Sequence, residues 1–215
     1  FSFQGHPNSR KLENRRTKHP NPHDYAAKDI HEMVERILKY TGKEKVTLFT
    51  YSLGVTVTRH YLKKYDAYDK VDIFVSVVGA NHGFVGADKA GEVDWTPDQI
   101  DALCLHESGD ETPYGTGKDS GASLPPDDKR QIKWLVFHGG KDDWIVNLNL
   151  TNYRQADNTS SPLLDGADLT RSYEGKFQNL RKPYGAHSSF YSEPGKWFND
   201  LEPYFAPKSA AAKSK

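Results

Sequence analysis

Apolar positions along the chain follow two periods, and the two alternate. Between residues 24 and 42, Ile30, Met33, Val34, Ile37 and Leu38 recur at steps of three and four. That spacing predicts one apolar face of a helix. Asp24 suits the start of this helix as its cap, and Gly42 suits its end. The β-branched stretch from Lys45 to Thr50 predicts a strand, and Leu53 to Tyr65 a second helix. From Val71 to Val78 the chain reads VDIFVSVV, apolar at nearly every position. A strand covered on both faces has this character. IKWLVFH, Ile132 to His138, predicts a third strand, and Arg171 to Glu174 a shorter fourth. A closing helix is expected within Ser192 to Phe205, with Pro194 near its first turn. Phe1 to Gly5 reads as a short strand, and Pro7 to His23 as a polar loop.

Strands alternating with helices imply an α/β fold: a mostly parallel sheet with helices on both faces. The pattern breaks between Phe84 and Gln131, where polar, Gly- and Pro-rich segments dominate. Long loops of this kind are commonly functional. An insertion over the C-terminal edge of the sheet is expected at about 84–131, with a short helix near Asp98 to Leu105. The small, basic stretch from Pro207 to Lys215 reads as a disordered tail. The expected organisation is one domain over 1–206, followed by that tail at 207–215.

Composition narrows the function classes. Of 215 residues, 36% are hydrophobic and 12% aromatic, enough for a core and too much for global disorder. The 29 basic and 29 acidic residues cancel, so no overall field would draw in nucleic acid. No apolar run approaches the roughly 18 residues of a transmembrane segment. Cys104 is the single cysteine, which excludes an intramolecular disulfide and a multi-cysteine zinc site. His19, His23 and His31 show no fixed ligand spacing, so no metal is expected. GANHG, Gly79 to Gly83, is too short for a dinucleotide loop and lacks its glycine spacing. Nothing in the composition points to an oligomeric state.

The candidate chemistry lies in VTLFTYSLGVTVTRHYL, Val46 to Leu62. A serine hydroxyl is a weak nucleophile that needs an adjacent base. A strained strand–turn–helix elbow exposes such a serine, with small residues two positions away on either side. Gly54 fills the second flank of Ser52, and Thr50 stands where Gly or Ala is expected in the first. The helix start would aim the Leu53 backbone N–H at a developing oxyanion. A simple helix cap is the competing role for Ser52.

Partners in such a site follow in the order serine, acid, histidine. After the third strand comes GGKDDWIV, where Asp143 is the candidate acid and Asp142 its close rival. YGAHSSFYSEP supplies His187, expected in a loop before the closing helix, with small neighbours that let it approach Ser52. His187 is the only one of nine histidines beyond His138. In the mechanism these roles imply, the base takes the serine proton and the acid orients the base. No metal or organic cofactor is required.

YTGKEKVTLFTYSLGVTVTRHYLKKY resembles the elbow region of class 2 triacylglycerol lipases and of lipase-like extracellular poly(3-hydroxybutyrate) depolymerases. VVGANHG (Val77 to Gly83), ETPYG (Glu111 to Gly115) and SPLLDGAD (Ser161 to Asp168) are similar to later segments of that group. The resemblance runs from about Ile30 to Phe190. It implies an α/β-hydrolase fold, a secreted protein and hydrolysis of an ester or polyester. It carries the nucleophile onto Ser52, the acid onto Asp143 and the base onto His187. Tyr51 and Leu53 stand where the family usually has His and Met. No His-Gly pair precedes Ser52, although the family draws a second oxyanion donor from one. Only 44 residues precede Lys45, so either the expected sheet lacks the family's N-terminal strands or a different backbone donor is used. A degenerate, weakly active or inactive binding protein on the same fold is the second reading.

Tyr51, His82 and Trp144 are candidate substrate-lining residues. Trp95, Tyr114, Tyr153, Tyr184 and Tyr191 also fall in or near the loops beside the site. Aromatics so placed either line an acyl pocket or pack the insertion onto the sheet.

Overall fold

Side-chain alternation along the strands sorts the core into two layers. The computed structural model describes residues 22–81, 128–144, 162–164, 166–180, 182 and 184–205. Among them, β1 (Val46–Tyr51), β2 (Val71–Val77), β3 (Lys133–His138) and β4 (Leu169–Ser172) form one sheet in the order β1-β2-β3-β4. All three pairings are parallel, with Phe49 opposite Val75, Val75 opposite Leu135, and Leu135 opposite Leu169. Successive side chains on a strand point to opposite faces. Phe74, Trp134 and Val136 therefore join one buried cluster, and Val75, Val77, Leu135 and Phe137 join another.

The first cluster is closed by α1 (Pro22–Thr41) and α2 (Leu53–Lys64), the second by α3 (Ala186–Ser192) and the segment after it. Two covered faces explain why β2 and β3 are apolar almost throughout. The expected α/β architecture, a parallel sheet with helices on both faces, is the one observed.

Helix α1 begins at Pro22, not at a cap formed by Asp24, which falls inside the first turn. Proline suits a first helical position because its missing N–H would have no partner there. Gly42 ends the helix with φ +66, and its N–H donates to the Leu38 carbonyl at 2.9 Å. The buried stripe is narrower than the apolar pattern suggests. Ala27, Ile30 and Val34 are buried, whereas Met33 and Ile37 remain 37% and 41% exposed.

The fourth strand begins at Leu169 and ends at Ser172, so Glu174 lies beyond it. The Asp168 carboxylate, just before it, accepts the Trp134 backbone N–H at 2.7 Å. The expected closing helix is broken into pieces. Helix α3 stops at Ser192, Pro194 opens a short 3-10 turn, a second turn covers Phe198–Leu201, and α4 spans Glu202–Phe205. Proline drives the preceding residue out of the helical region, and Glu193 has φ −125 and ψ 55. Trp197 anchors the broken segment by donating its indole N–H to the Phe190 carbonyl at 2.8 Å.

No helix among the described residues is long and apolar enough to cross a membrane. The expected strand at Phe1 to Gly5, the helix near Asp98 to Leu105 and the tail lie outside the described residues.

Candidate active site

Ser52 joins β1 to α2 with φ 54 and ψ −130. A non-glycine residue there carries backbone strain of roughly 1–3 kcal/mol. Hydrogen bonds on both sides hold it. Its N–H donates to the Val77 carbonyl at 2.9 Å, and its own carbonyl accepts the Val55 N–H at 2.9 Å. The strand ladder and the helix thus meet on one residue. The Ser52 side chain makes no capping bond to α2, so the simple helix-cap role does not hold. Leu53 opens the helix, and its N–H belongs to the first turn, whose amides have no intrahelical acceptor.

The residues flanking Ser52 behave differently from the motif's logic. Thr50 is accommodated because its hydroxyl donates to the Val75 carbonyl at 2.7 Å, across to β2. Among the described residues, a methyl group at Gly54 would meet nothing within 4 Å, so none of them demands a glycine there. The close approach is at Gly79 instead, where a Cβ would lie 2.5 Å from the Val55 side chain. Val78, fully buried and β-branched, takes φ 46 at the end of β2. Its N–H donates to the Phe137 carbonyl at 2.8 Å.

The acid and base segments are joined to each other. Asp143 and Gly185 form an antiparallel bridge, and the Trp144 N–H donates to the Tyr184 carbonyl at 3.3 Å. Gly185 has φ +59, and a Cβ on it would lie 2.1 Å from the Asp142 carbonyl oxygen and 2.7 Å from the Trp144 ring. Only glycine permits this contact. The contact at Gly139 is also tight, since a Cβ there would lie 2.7 Å from that of Ala186.

These constraints bring three side chains into one line. His187 Nε2 lies 2.8 Å from Ser52 Oγ. Its Nδ1 lies 3.1 Å from both Asp143 carboxylate oxygens. Asp143 is 1% exposed and His187 8%. Nδ1 donating to the carboxylate leaves Nε2 as the acceptor facing Ser52. Asp142 turns away, and its carboxylate accepts the Gly175 N–H at 2.6 Å. His187 occupies the first turn of α3 and not the loop expected from sequence.

The other candidates divide. The Tyr51 phenol donates to the His187 carbonyl. Burial, with the nearby Asp143 charge second, pushes the phenol pKa above its ordinary value, so Tyr51 stays protonated. Trp144 is half-buried and packs on Gly185. Tyr184 and Tyr191 are exposed, whereas His82, Trp95, Tyr114 and Tyr153 lie outside the described residues.

Residues 13–158 match the family described as Lipase (class 2). The chain belongs to the class 2 lipase family. Membership makes it a lipase/esterase-type hydrolase with an ester substrate. The part of this lipase that matches includes Ser52 and Asp143 and ends before His187. Comparison with curated proteins gave no match.

Sequence reasoning missed the polar knot that holds the lipase's β2–elbow corner. Asn81, fully buried, donates its amide to Ser76 Oγ at 3.1 Å and to the Pro162 carbonyl at 2.8 Å. Buried Arg59, on α2, donates to the Asn81 carbonyl. Arginine within an apolar helical face was the available signal, but its acceptor lies 22 positions on.

Proposed function

We propose that this chain is a serine carboxylic-ester hydrolase. In this reading Ser52 is the nucleophile, His187 the general base and acid, Asp143 the orienting carboxylate, and the Leu53 N–H an oxyanion donor. The observation that carries it is the single imidazole bridging Ser52 Oγ and the buried Asp143 carboxylate through its two nitrogens.

Ser52 Oγ attacks the ester carbonyl carbon while its proton passes to His187 Nε2. The carbonyl oxygen takes the negative charge, facing the first-turn amide of Leu53. The imidazolium formed is stabilised by Asp143, which stays ionised. Collapse breaks the bond to the alcohol, and the alcohol leaves with the proton from Nε2. Water then gives a proton to Nε2 and attacks the acyl-serine. Ser52 recovers its proton as the acid departs.

Lipid and polyester esters are the substrates this reading implies. Labelling with a fluorophosphonate, set beside Ser52→Ala, tests the nucleophile. Stable labelling of the wild type and none of the variant is expected. A folded wild type that takes no label would leave a binding role in place of turnover. Esters of short and long acyl chains and a polyhydroxybutyrate film then rank the substrates.

A further inference from the structure

We propose that Tyr51 is a positioning residue, whose phenol fixes the backbone of His187 against the nucleophile elbow. The inference rests on the triad reading above. Ser52 and His187 belong to separate parts of the fold, the turn between β1 and α2 and the first turn of α3, 135 residues apart. The contact through Asp143 runs by way of the loop after β3, which is indirect. Tyr51 joins the two elements directly. It is the last residue of β1 and the chain neighbour of Ser52, and its hydroxyl donates to the carbonyl of His187 itself.

The rest of the environment fits a positioning role better than a substrate contact. The Tyr51 ring centroid lies 5.5 Å from the imidazole at a tilt of 56°, so the two rings restrain each other. Tyr191, also on α3, sets its ring centroid 6.5 Å from that of Tyr51. Tyr51 is held in place because its strand is paired along its length, Tyr51 itself lying opposite Val77. Its hydrogen is committed to the carbonyl, and burial keeps the phenol protonated, so it is not poised to exchange a proton with substrate.

Tyr51→Phe removes one oxygen and keeps the ring. A soluble short-chain ester assay should show kcat about 3- to 10-fold lower, as expected for one neutral hydrogen bond. KM should stay within about twofold, because no substrate contact is lost. The rate of fluorophosphonate labelling should fall with kcat. In proton NMR, the downfield His187 Nδ1–H resonance should broaden or disappear under conditions where the wild type shows it. That resonance needs no turnover, so it reports on Tyr51 even if Ser52→Ala were to retain activity and the triad reading failed. Tyr51→His, measured alongside, should lose the same resonance, since the shorter imidazole does not span to the carbonyl. An unchanged resonance in both variants, or a raised KM with unchanged kcat, would overturn the proposal.

Discussion

Asp143 and Gly185 pair as an isolated antiparallel bridge, which ties the backbone of the buried carboxylate to the backbone leading into His187. The bridge exists because Gly185 has no side chain. A methyl group there would overlap the Asp142 carbonyl oxygen at 2.1 Å. Gly185→Ala should therefore lose about 2–5 kcal/mol, combining overpacking with strain at a positive φ. Urea unfolding measures it. Loss of under about half a kcal/mol, the range of ordinary surface changes, would show that the bridge does not hold the site together.

The two adjacent aspartates have different partners, so their substitutions should separate. Asp143→Asn should lower kcat by about 10³–10⁴, because an amide presents the imidazole with the wrong pattern of donors and acceptors. Asp142→Asn should keep most activity, since its amide oxygen still accepts the Gly175 N–H, and Asp142→Ala should lose about 1 kcal/mol with that hydrogen bond. Equal losses in steady-state assays of the two would contradict the assignment of the acid.

Strain at Ser52 predicts a trade between stability and function. Ser52→Gly should unfold at a higher temperature than Ser52→Ala, by the equivalent of about 0.5–2 kcal/mol, since glycine relaxes at φ 54. Both should lose turnover by about 10⁴–10⁶. Calorimetry of the two variants checks the ordering, and equal melting points would mean that the elbow stores no strain.

Near Ser52, among the described residues, the glycine packed against a neighbour is Gly79, not the Gly54 of the motif. Gly54→Ala should be neutral or stabilising by up to about 1 kcal/mol in a helix. Gly79→Ala should lose about 1–3 kcal/mol against Val55, and adding Val55→Ala should restore part of it. A double-mutant cycle with no coupling would refute the contact.

Burial lowers the pKa of His138, at the end of β3, although Asp143 and Glu174 pull the other way. The unfolded chain then binds a proton more readily than the folded one. His138 contributes its stability fully above the unfolded value of about 6.5, and that contribution is lost as pH falls toward the folded value. The wild type should weaken from about pH 6.5 downward more steeply than His138→Gln. Denaturation curves across that range decide it, and parallel slopes would mean that His138 does not titrate on unfolding.

Local patterns were enough to place β1, α2, β2 and β3 within one residue at each end, and α1 within three at its start and one at its end, because periodicity and helix stops are properties of neighbouring positions. The chain order of Ser52, Asp143 and His187, whose side chains meet in the structure, was also legible, since chain order survives folding. Short elements were read less well. Glu193 and Pro194 broke the closing helix, and β4 slid two residues toward Leu169, because a strand of four residues carries little pattern of its own.

The sequence by itself determined the alternation of strands and helices, the class of fold, and a short set of candidate residues. Which of Asp142 and Asp143 faces His187 belonged to the tertiary structure, because both share one loop and differ only in what surrounds them. The same holds for Gly79 and Tyr51, whose partners, Val55 and the His187 carbonyl, lie 24 and 136 positions away. Contacts between distant positions depend on how whole elements pack, and periodicity within a single element carries no record of that.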